Sequence, residues 1–347
     1  MIRRFVCASL LLLGALTGHG AHAQDAADGF FKGKIIRLVV PTPPGGLFDG
    51  YSRLLAQHMP RHIAGSPTIV LQNMAGAAGL VAANYMANVA PRDGTVIAAA
   101  YSATMTAPLL SADGAKFGVK TLSWIGSISK DPFVAYVWNT ARAKTLDELH
   151  RQEILVGGTA IGSAPIDYAI LAKDLFGLKL NIIPGYAGTA EVNLAMQRGE
   201  IEGSFGIGWN SLKVGQAEWL AKRQILLVTQ FGLTRHPELP DVPAFAELAR
   251  NDSDRQALDL YLPRQEYSRP YYAPPGIPEA RLTLLRRAFD ATLRDPAFLA
   301  EAASLKAPVD GPATGEELAA ASDRLASTSP QVVKRVLDMF ANFQSTR

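Results

Sequence analysis

Short apolar runs alternate with stretches in which apolar residues recur every three or four positions along most of the chain. Ile35-Ile36-Arg37-Leu38-Val39-Val40 and Thr68-Ile69-Val70-Leu71 have the β-branched density of buried strands. The first leads to Phe48, Tyr51, Leu55 and Met59 at helical spacing, ending at Pro60. The second leads to Val81, Tyr85 and Val89, ending near Pro91, and both stripes are expected to face the core. Pro91-Arg92-Asp93-Gly94 turns the chain into a strand from Thr95 to Ala100. Phe133 to Trp138 reads as a buried strand, and Thr145 with Glu148 fits a capping box that opens a new cycle. Ile154-Leu155-Val156, a helix to Phe176, Asn181-Ile182-Ile183, a helix from Glu191 to Arg198, and strands at 201–207 and 224–230 continue it. Ala244 to Leu248 is expected to begin a surface helix, Asn251 to Arg255 to be a mobile polar stretch, and the remainder after Pro278 to be helical. Strands that alternate with helices predict an α/β fold with largely parallel sheets.

The junctions carry the chemistry. Pro41-Thr42-Pro43-Pro44-Gly45-Gly46-Leu47-Phe48-Asp49 joins the first strand directly to a helix, and Asn73-Met74-Ala75-Gly76-Ala77-Ala78-Gly79 repeats the device after the second. The glycines let the backbone turn where a side chain would clash, and a helix start offers N–H groups that attract anions. Neither loop contains Lys or Arg, so an anion there would be held by backbone dipoles and hydroxyls. Gly157-Gly158-Thr159-Ala160-Ile161-Gly162-Ser163 and Pro184-Gly185-Tyr186-Ala187-Gly188-Thr189 again place glycine and hydroxyl residues where strands end. In open α/β sheets that edge is the ligand edge.

Arg3 and Arg4, the apolar stretch from Val6 to Leu16, and Ala21-His22-Ala23 read as a secretory signal over 1–23, with the mature chain starting at Gln24 in the periplasm. Cys7 is the only cysteine, so the mature chain would have no disulfide, thiol nucleophile or thiolate metal site. Losing Arg3 and Arg4 lowers the formal charge from +3 to +1, and nothing in it favours nucleic acid. A chain of this length predicts roughly two domains.

The ordered pair of loops resembles the periplasmic solute-binding receptors of tripartite tricarboxylate transporters, the Bug receptors. Members carry Pro-x-x-x-Gly-Gly-x-x-Asp, matched by Pro41, Gly45, Gly46 and Asp49, then Asn-x-x-Gly-Ala-x-Gly, matched by Asn73, Gly76, Ala77 and Gly79. Gly162-Ser163, Tyr186 with Gly188, and Arg198-Gly199-Glu200 extend the match over essentially the whole mature chain. The resemblance implies a type II periplasmic-binding-protein fold, two α/β domains joined by crossing hinge strands near 134–138 and 266–271. It assigns 24–130 and 266–347 to one domain and 131–265 to the other. It also implies capture of a small organic carboxylate in an interdomain cleft, held by loop backbone groups and waters rather than by an arginine. The partners implied are membrane permease subunits, or a sensor kinase, for a monomeric receptor without cofactor or metal. Gln72 stands where Glu is common, Met74-Ala75 where Arg-Pro is frequent, Ala78 where Gly is usual and Ile166 where many members have His.

The expected ligand residues are Thr42, Pro44, Gly45, Gly46, Phe48, Asp49, Gly76, Ala77, Ala78, Gly79, Thr159, Ala160, Gly162, Ser163, Tyr186, Gly188, Thr189 and Trp209. Several have plainer readings. Asp49 beside an anion would repel it and suits loop ordering, Thr159 and Ser163 suit helix capping, and Phe48 and Trp209 suit a core. Phe48, Tyr186 and Trp209 together point to an aromatic or apolar-bodied carboxylate over citrate-like acids, and the expected ligand is an aromatic or dicarboxylic acid. His58 and His62 have metal-pair spacing, but Pro60 between them breaks the helix, and both are expected at the surface. The alternative reading is a secreted α/β serine hydrolase with Ser163 as nucleophile and His236 or His150 as base, although no Gly-x-Ser-x-Gly elbow is present.

Overall fold

A computed structural model describes residues 29–110, 113–159, 163–186, 188–305, 307 and 309–345. The expected signal segment 1–23 and the start at Gln24 lie outside the described residues, as do Ala160 and Gly162. The strands are β1 (Ile35–Val40), β2 (Thr68–Asn73), β3 (Val96–Ala99), β4 (Ser123–Ser127), β5 (Phe133–Trp138), β6 (Ile154–Gly157), β7 (Leu180–Ile183), β8 (Gly203–Gly208), β9 (Ile225–Phe231) and β10 (Pro270–Ala273). The chain divides into two compact units: unit 1 holds 1–99, 121–126 and 271–307, and unit 2 holds 100–120, 127–270 and 308–347.

In unit 1 the strand order is β4-β10-β3-β1-β2. β1 runs parallel to β2 on one side and to β3 on the other, with Leu38 opposite Leu71 and Ile97, while β10 is antiparallel to β3. A strand flanked on both sides and covered by helices is apolar on both faces, which is why β1 reads as a run and not as an alternation. The helix Gly46–His58 lays Tyr51, Leu54 and Leu55 on this sheet, and the Ser52 hydroxyl meets the buried Tyr271 hydroxyl at 3.2 Å.

Two expectations in unit 1 change. Helix Leu80–Asn88 buries Ala82, Ala83, Met86 and Ala87, whereas Val81 and Val89 are 45% and 69% exposed. The valines therefore face outward, because Ala82, Ala83, Met86 and Ala87 form a second apolar face of the helix and that face is the buried one. His58 is buried and not at the surface: its Nε2 hydrogen-bonds Glu301 at 2.7 Å, its Nδ1 meets Arg61, and its ring packs edge-on against Phe298. Pro60 indeed ends the helix, since a 3-10 turn, Met59–His62, follows. That turn sends His62 to Asp295 at 2.9 Å, so the two histidines serve separate carboxylates.

In unit 2 the order is β7-β6-β8-β5-β9. β6 is parallel to β7 and β8, and β5 is antiparallel to both β8 and β9, so β5 is interior to this sheet. The chain changes unit at Gly126/Ser127, before β5, and not within 134–138. Helix Ala164–Phe176 covers the sheet with Ile166, Tyr168, Ile170 and Leu171, and Tyr168 stacks on Phe231 at 4.2 Å. Asn251 caps the helix Asp252–Tyr261 by accepting from Asp254 N–H at 2.9 Å, so the stretch expected to be mobile is a helix start. Phe245–Leu248 is a 3-10 turn with Phe245 and Ala246 buried, not a surface helix. The final helices Gly315–Ala326 and Pro330–Ser345 group with unit 2, where the sequence reading kept 266–347 together. Their apolar stripes announce a buried face without naming its partner, and the last helix packs on Asp252–Tyr261 and Ala164–Phe176.

Close approach of β8 to the helix Ala164–Phe176 depends on Gly206, whose φ is +116° and whose added Cβ would lie 2.6 Å from the Ala164 carbonyl oxygen. Backbone strain and overpacking each cost about 1–3 kcal/mol. Gly206→Ala is expected to destabilise the protein by roughly 3 kcal/mol or more, read as a lowered urea midpoint at unchanged slope.

Candidate functional site

The loop after β1 and the loop after β2 leave adjacent parallel strands, since Val40 is opposite Asn73. Met74 N–H donates to Val40 O at 2.8 Å, and the Asn73 amide donates to Thr42 O at 2.8 Å and to Asp49 Oδ1 at 3.0 Å. The other Asp49 oxygen accepts from Gly45 N–H at 3.0 Å and from Arg53 Nε at 2.7 Å. Asp49 is 1% exposed. Burial alone would raise its carboxyl, but the bonds from Asn73, Gly45 and Arg53, with the Arg53 charge, outweigh burial and hold it below the usual carboxylate range. Both carboxylate oxygens are thus occupied in tying the loops together.

Gly45 has φ +87° and precedes Gly46, the first residue of the helix, whose start receives no side-chain cap. The second loop turns through Gly76 at φ +136°, Ala77 at +45° and Gly79 at +89°. Ala77, Ala78 and Gly79 form a 3-10 turn that leads into helix Leu80–Asn88. Pro44 is exposed, Phe48 and Thr42 are half-buried, and the Thr42 Oγ1 atom is buried without a hydrogen-bond partner. A hydroxyl in that condition costs stability unless something else completes it.

Unit 2 repeats the construction with different residues. β6 ends at Gly157, and the segment after it is tied to the segment after β7 by Gly185 N–H to Thr159 O at 2.6 Å and Tyr186 N–H to Gly158 O at 3.3 Å. Thr159 and Tyr186 are brought together in this way. A Cβ on Gly157 would stand 3.0 Å from Cε2 of Tyr186, so the ring seats on bare backbone. Burial, and then the Glu200 charge, push the Tyr186 phenol up, which keeps it a donor near neutral pH. Ser163 stands at the N-cap of Ala164–Phe176, but its side chain makes no capping bond. Gly188 holds the N-cap position of Thr189–Gln197, with Thr189 exposed at the first turn. Trp209 is placed in the core with Tyr136, Leu212 and Ile225, and its Nε1 donates to Glu238 at 2.6 Å. Its polar atom is already engaged, which fits the plainer reading of that residue.

Residues 52–309 match the family model described as tripartite tricarboxylate transporter family receptor. The chain belongs to this family. It is 26% identical over 306 residues to a UPF0065 protein of Bordetella pertussis, covering 86% of each chain. Among solved structures it is similar to a TctC solute-binding protein from Polaromonas, at TM-score 0.70 and 20% identity over 87% of this chain and 98% of that one. It also resembles MatC of Rhodopseudomonas palustris with bound malate, at TM-score 0.53 and 20% identity over 88% and 99% of the two chains. A further R. palustris protein with adipate gives TM-score 0.55 and 20% identity over 89% and 97%. These likenesses show the two-domain α/β periplasmic-binding-protein fold. The family's receptors are periplasmic and serve transport, not catalysis, so the hydrolase alternative is withdrawn. Among the described residues, no helix is long and apolar enough to cross a membrane.

The sequence reading overlooked Arg53 and gave Asn73 no place among the site residues. Arg53 lies four residues after Asp49 on one helix, the spacing of an ion pair, and that signal was legible. Asn73 joins two loops 31 residues apart in sequence, and pattern alone does not reveal such a bond. The folded-state Asp49 value lies below that of the unfolded chain, about 3.9, so its stabilisation is full above that value and fades as pH falls through the folded-state one. Asp49→Asn is expected to cost about 1–3 kcal/mol at pH 7 and progressively less as pH falls below the unfolded-state value, checked by urea unfolding across the acid range.

Proposed function

We propose that this receptor captures a small dicarboxylate at the paired loops of unit 1 and delivers it to a membrane transporter. The observation that carries this reading is the Asp49 clamp. It fixes two glycine loops at the carboxyl ends of adjacent parallel strands, each leading into a helix start, and uses up its own negative charge on Asn73, Gly45 and Arg53. We take the loops' backbone N–H groups, with the Thr42 hydroxyl that is buried without a partner, as the groups offered to a ligand, a set that favours a carboxylate over a cation. Gly76, Ala77, Ala78 and Gly79 supply the second loop's backbone, and Thr159, Ser163, Tyr186, Gly188 and Thr189 supply hydroxyls and amides that suit a second polar group. Trp209, bonded to Glu238, is left out of the recognition set. This removes much of the support for an aromatic acid, and the malate and adipate of two similar proteins agree with a dicarboxylate.

A thermal-shift series with succinate, malate, adipate, citrate and benzoate is expected to favour the dicarboxylates. Ligand at a thousand times its Kd adds about 4 kcal/mol, whereas the diamide of the preferred acid should add nothing. Thr42→Val is expected to weaken binding about tenfold, equivalent to about 1.4 kcal/mol, without lowering unfolding stability, because the removed hydroxyl has no partner in the protein. If no carboxylate raises the melting temperature, the reading is wrong.

A further inference from the structure

The outward valine stripe is continuous with an exposed part of the unit 1 sheet. Val81 and Tyr85 on helix Leu80–Asn88 and Val89 at its C-cap follow one another at four-residue intervals. The Tyr85 hydroxyl accepts from Arg37 at 3.3 Å, and Arg37 is opposite Val70 in the β1–β2 register, two residues after Ile35 on the same side of the strand. Ile35 and Val70 are 59% and 41% exposed, and β2 is the edge of this sheet. Ile35 and Val70 thus neighbour Arg37 on the sheet, Val81 and Val89 lie one turn to either side of its partner Tyr85, and the guanidinium pairs with no carboxylate among the described residues. At the other end of the stripe, Val81 packs against Gly76 of the second loop, with its Cγ2 2.9 Å from where a Cβ would be.

We propose that this face docks a protein segment of aliphatic residues bearing an aspartate or glutamate that pairs with Arg37, carried on the extracytoplasmic side of the membrane component that accepts the solute. The proposal rests on the receptor reading above. Charge selects the occupant. A second copy of the chain meeting this face about a two-fold axis would bring Arg37 against Arg37, which disfavours self-association. A lipid surface is the poorer fit, because interfacial anchoring draws on Trp, Phe and Leu, while the exposed residues here are Ile and Val. A desolvated carboxylate on the partner meets the requirement of Arg37, and the valines supply the water-excluding surround. Contact with Val81 places the partner beside the loop that holds the ligand, where it can sense whether Gly76 to Gly79 are engaged.

The test uses the full chain expressed from its own gene, with uptake of labelled malate or adipate, whichever raises the melting temperature more. Arg37→Glu and the double variant Val70→Glu, Val89→Glu are compared with Val214→Glu, an exposed valine of unit 2. The patch variants are expected to bind the acid within about twofold of the wild-type Kd, yet to lower uptake about tenfold or more. Val214→Glu and the charge-keeping Arg37→Lys should retain most of it. Unchanged uptake in the patch variants overturns the proposal, and so does a loss of uptake that merely tracks lost binding. Wild-type binding to phosphatidylglycerol vesicles, or self-association, that the patch variants abolish also overturns it by naming another occupant. If deleting the gene leaves uptake intact, the receptor reading falls and the docking proposal with it, an outcome separate from normal receptor function with the patch dispensable.

Discussion

One buried carboxylate organises unit 1. Asp49 sits inside the first turn of its helix, and its two oxygens face opposite tasks: one takes the Asn73 amide from the neighbouring loop, the other takes Gly45 N–H and the Arg53 guanidinium. A charge this deep is tolerated only because both oxygens have donors, and removing one donor would leave part of the desolvation cost uncompensated. The consequence is geometric. Asn73 also reaches Thr42 O, so the segment before the helix and the end of β2 are set by the same side chain. Loops held this way need no ligand to hold their shape, and a preorganised backbone gives up less entropy on binding.

Unit 2 solves the same problem without a charge. Its strand-end segments after β6 and β7 are joined by main-chain bonds between Gly158, Thr159, Gly185 and Tyr186, and the Tyr186 ring is seated where Gly157 has no Cβ. Main-chain ties fix the path of the chain but leave side-chain identity free. An acidic clamp fixes both. Unit 1 accordingly has the more constrained loops of the two, while the side chains after β6 and β7 are free to vary.

The alternation of apolar runs and helical stripes gave the α/β class, the succession of strands and the two glycine loops, because those signals are local and periodic. Orientation was not local. Val81, Tyr85 and Val89 form as regular a stripe as Phe48, Tyr51 and Leu55, yet both valines face solvent, since the helix has a second apolar face, Ala82, Ala83, Met86 and Ala87, and that one is buried. His58 was read as a surface residue because its partners, Glu301 and Phe298, lie more than two hundred residues away. Asn251 looked like a loop because a capping residue and a turn residue are the same residue type, and only the helix that follows distinguishes them. In the candidate site the glycines and Asp49 were legible from spacing. The bond from Asn73 that joins the loops was not, as it depends on the parallel register of β1 and β2.

The departures from the family pattern acquire a meaning from this division of labour. Gln72, Met74, Ala75 and Ala78 differ from the residues common at those positions, but none of them takes part in the clamp, whose members Gly45, Asp49, Arg53 and Asn73 are all present. Ile166 is fully buried in the first turns of its helix and lies against Gly158, so it acts on the unit 2 segment through packing and offers a ligand no polar atom. An aliphatic side chain there fixes the path of the segment without presenting a hydrogen-bonding group, so the polar atoms this segment offers are those of Thr159, Tyr186 and the main chain. On the reading proposed above, such a segment suits an acid with a plain methylene body better than a densely hydroxylated one, because an unpaired ligand hydroxyl would have to shed its water without compensation.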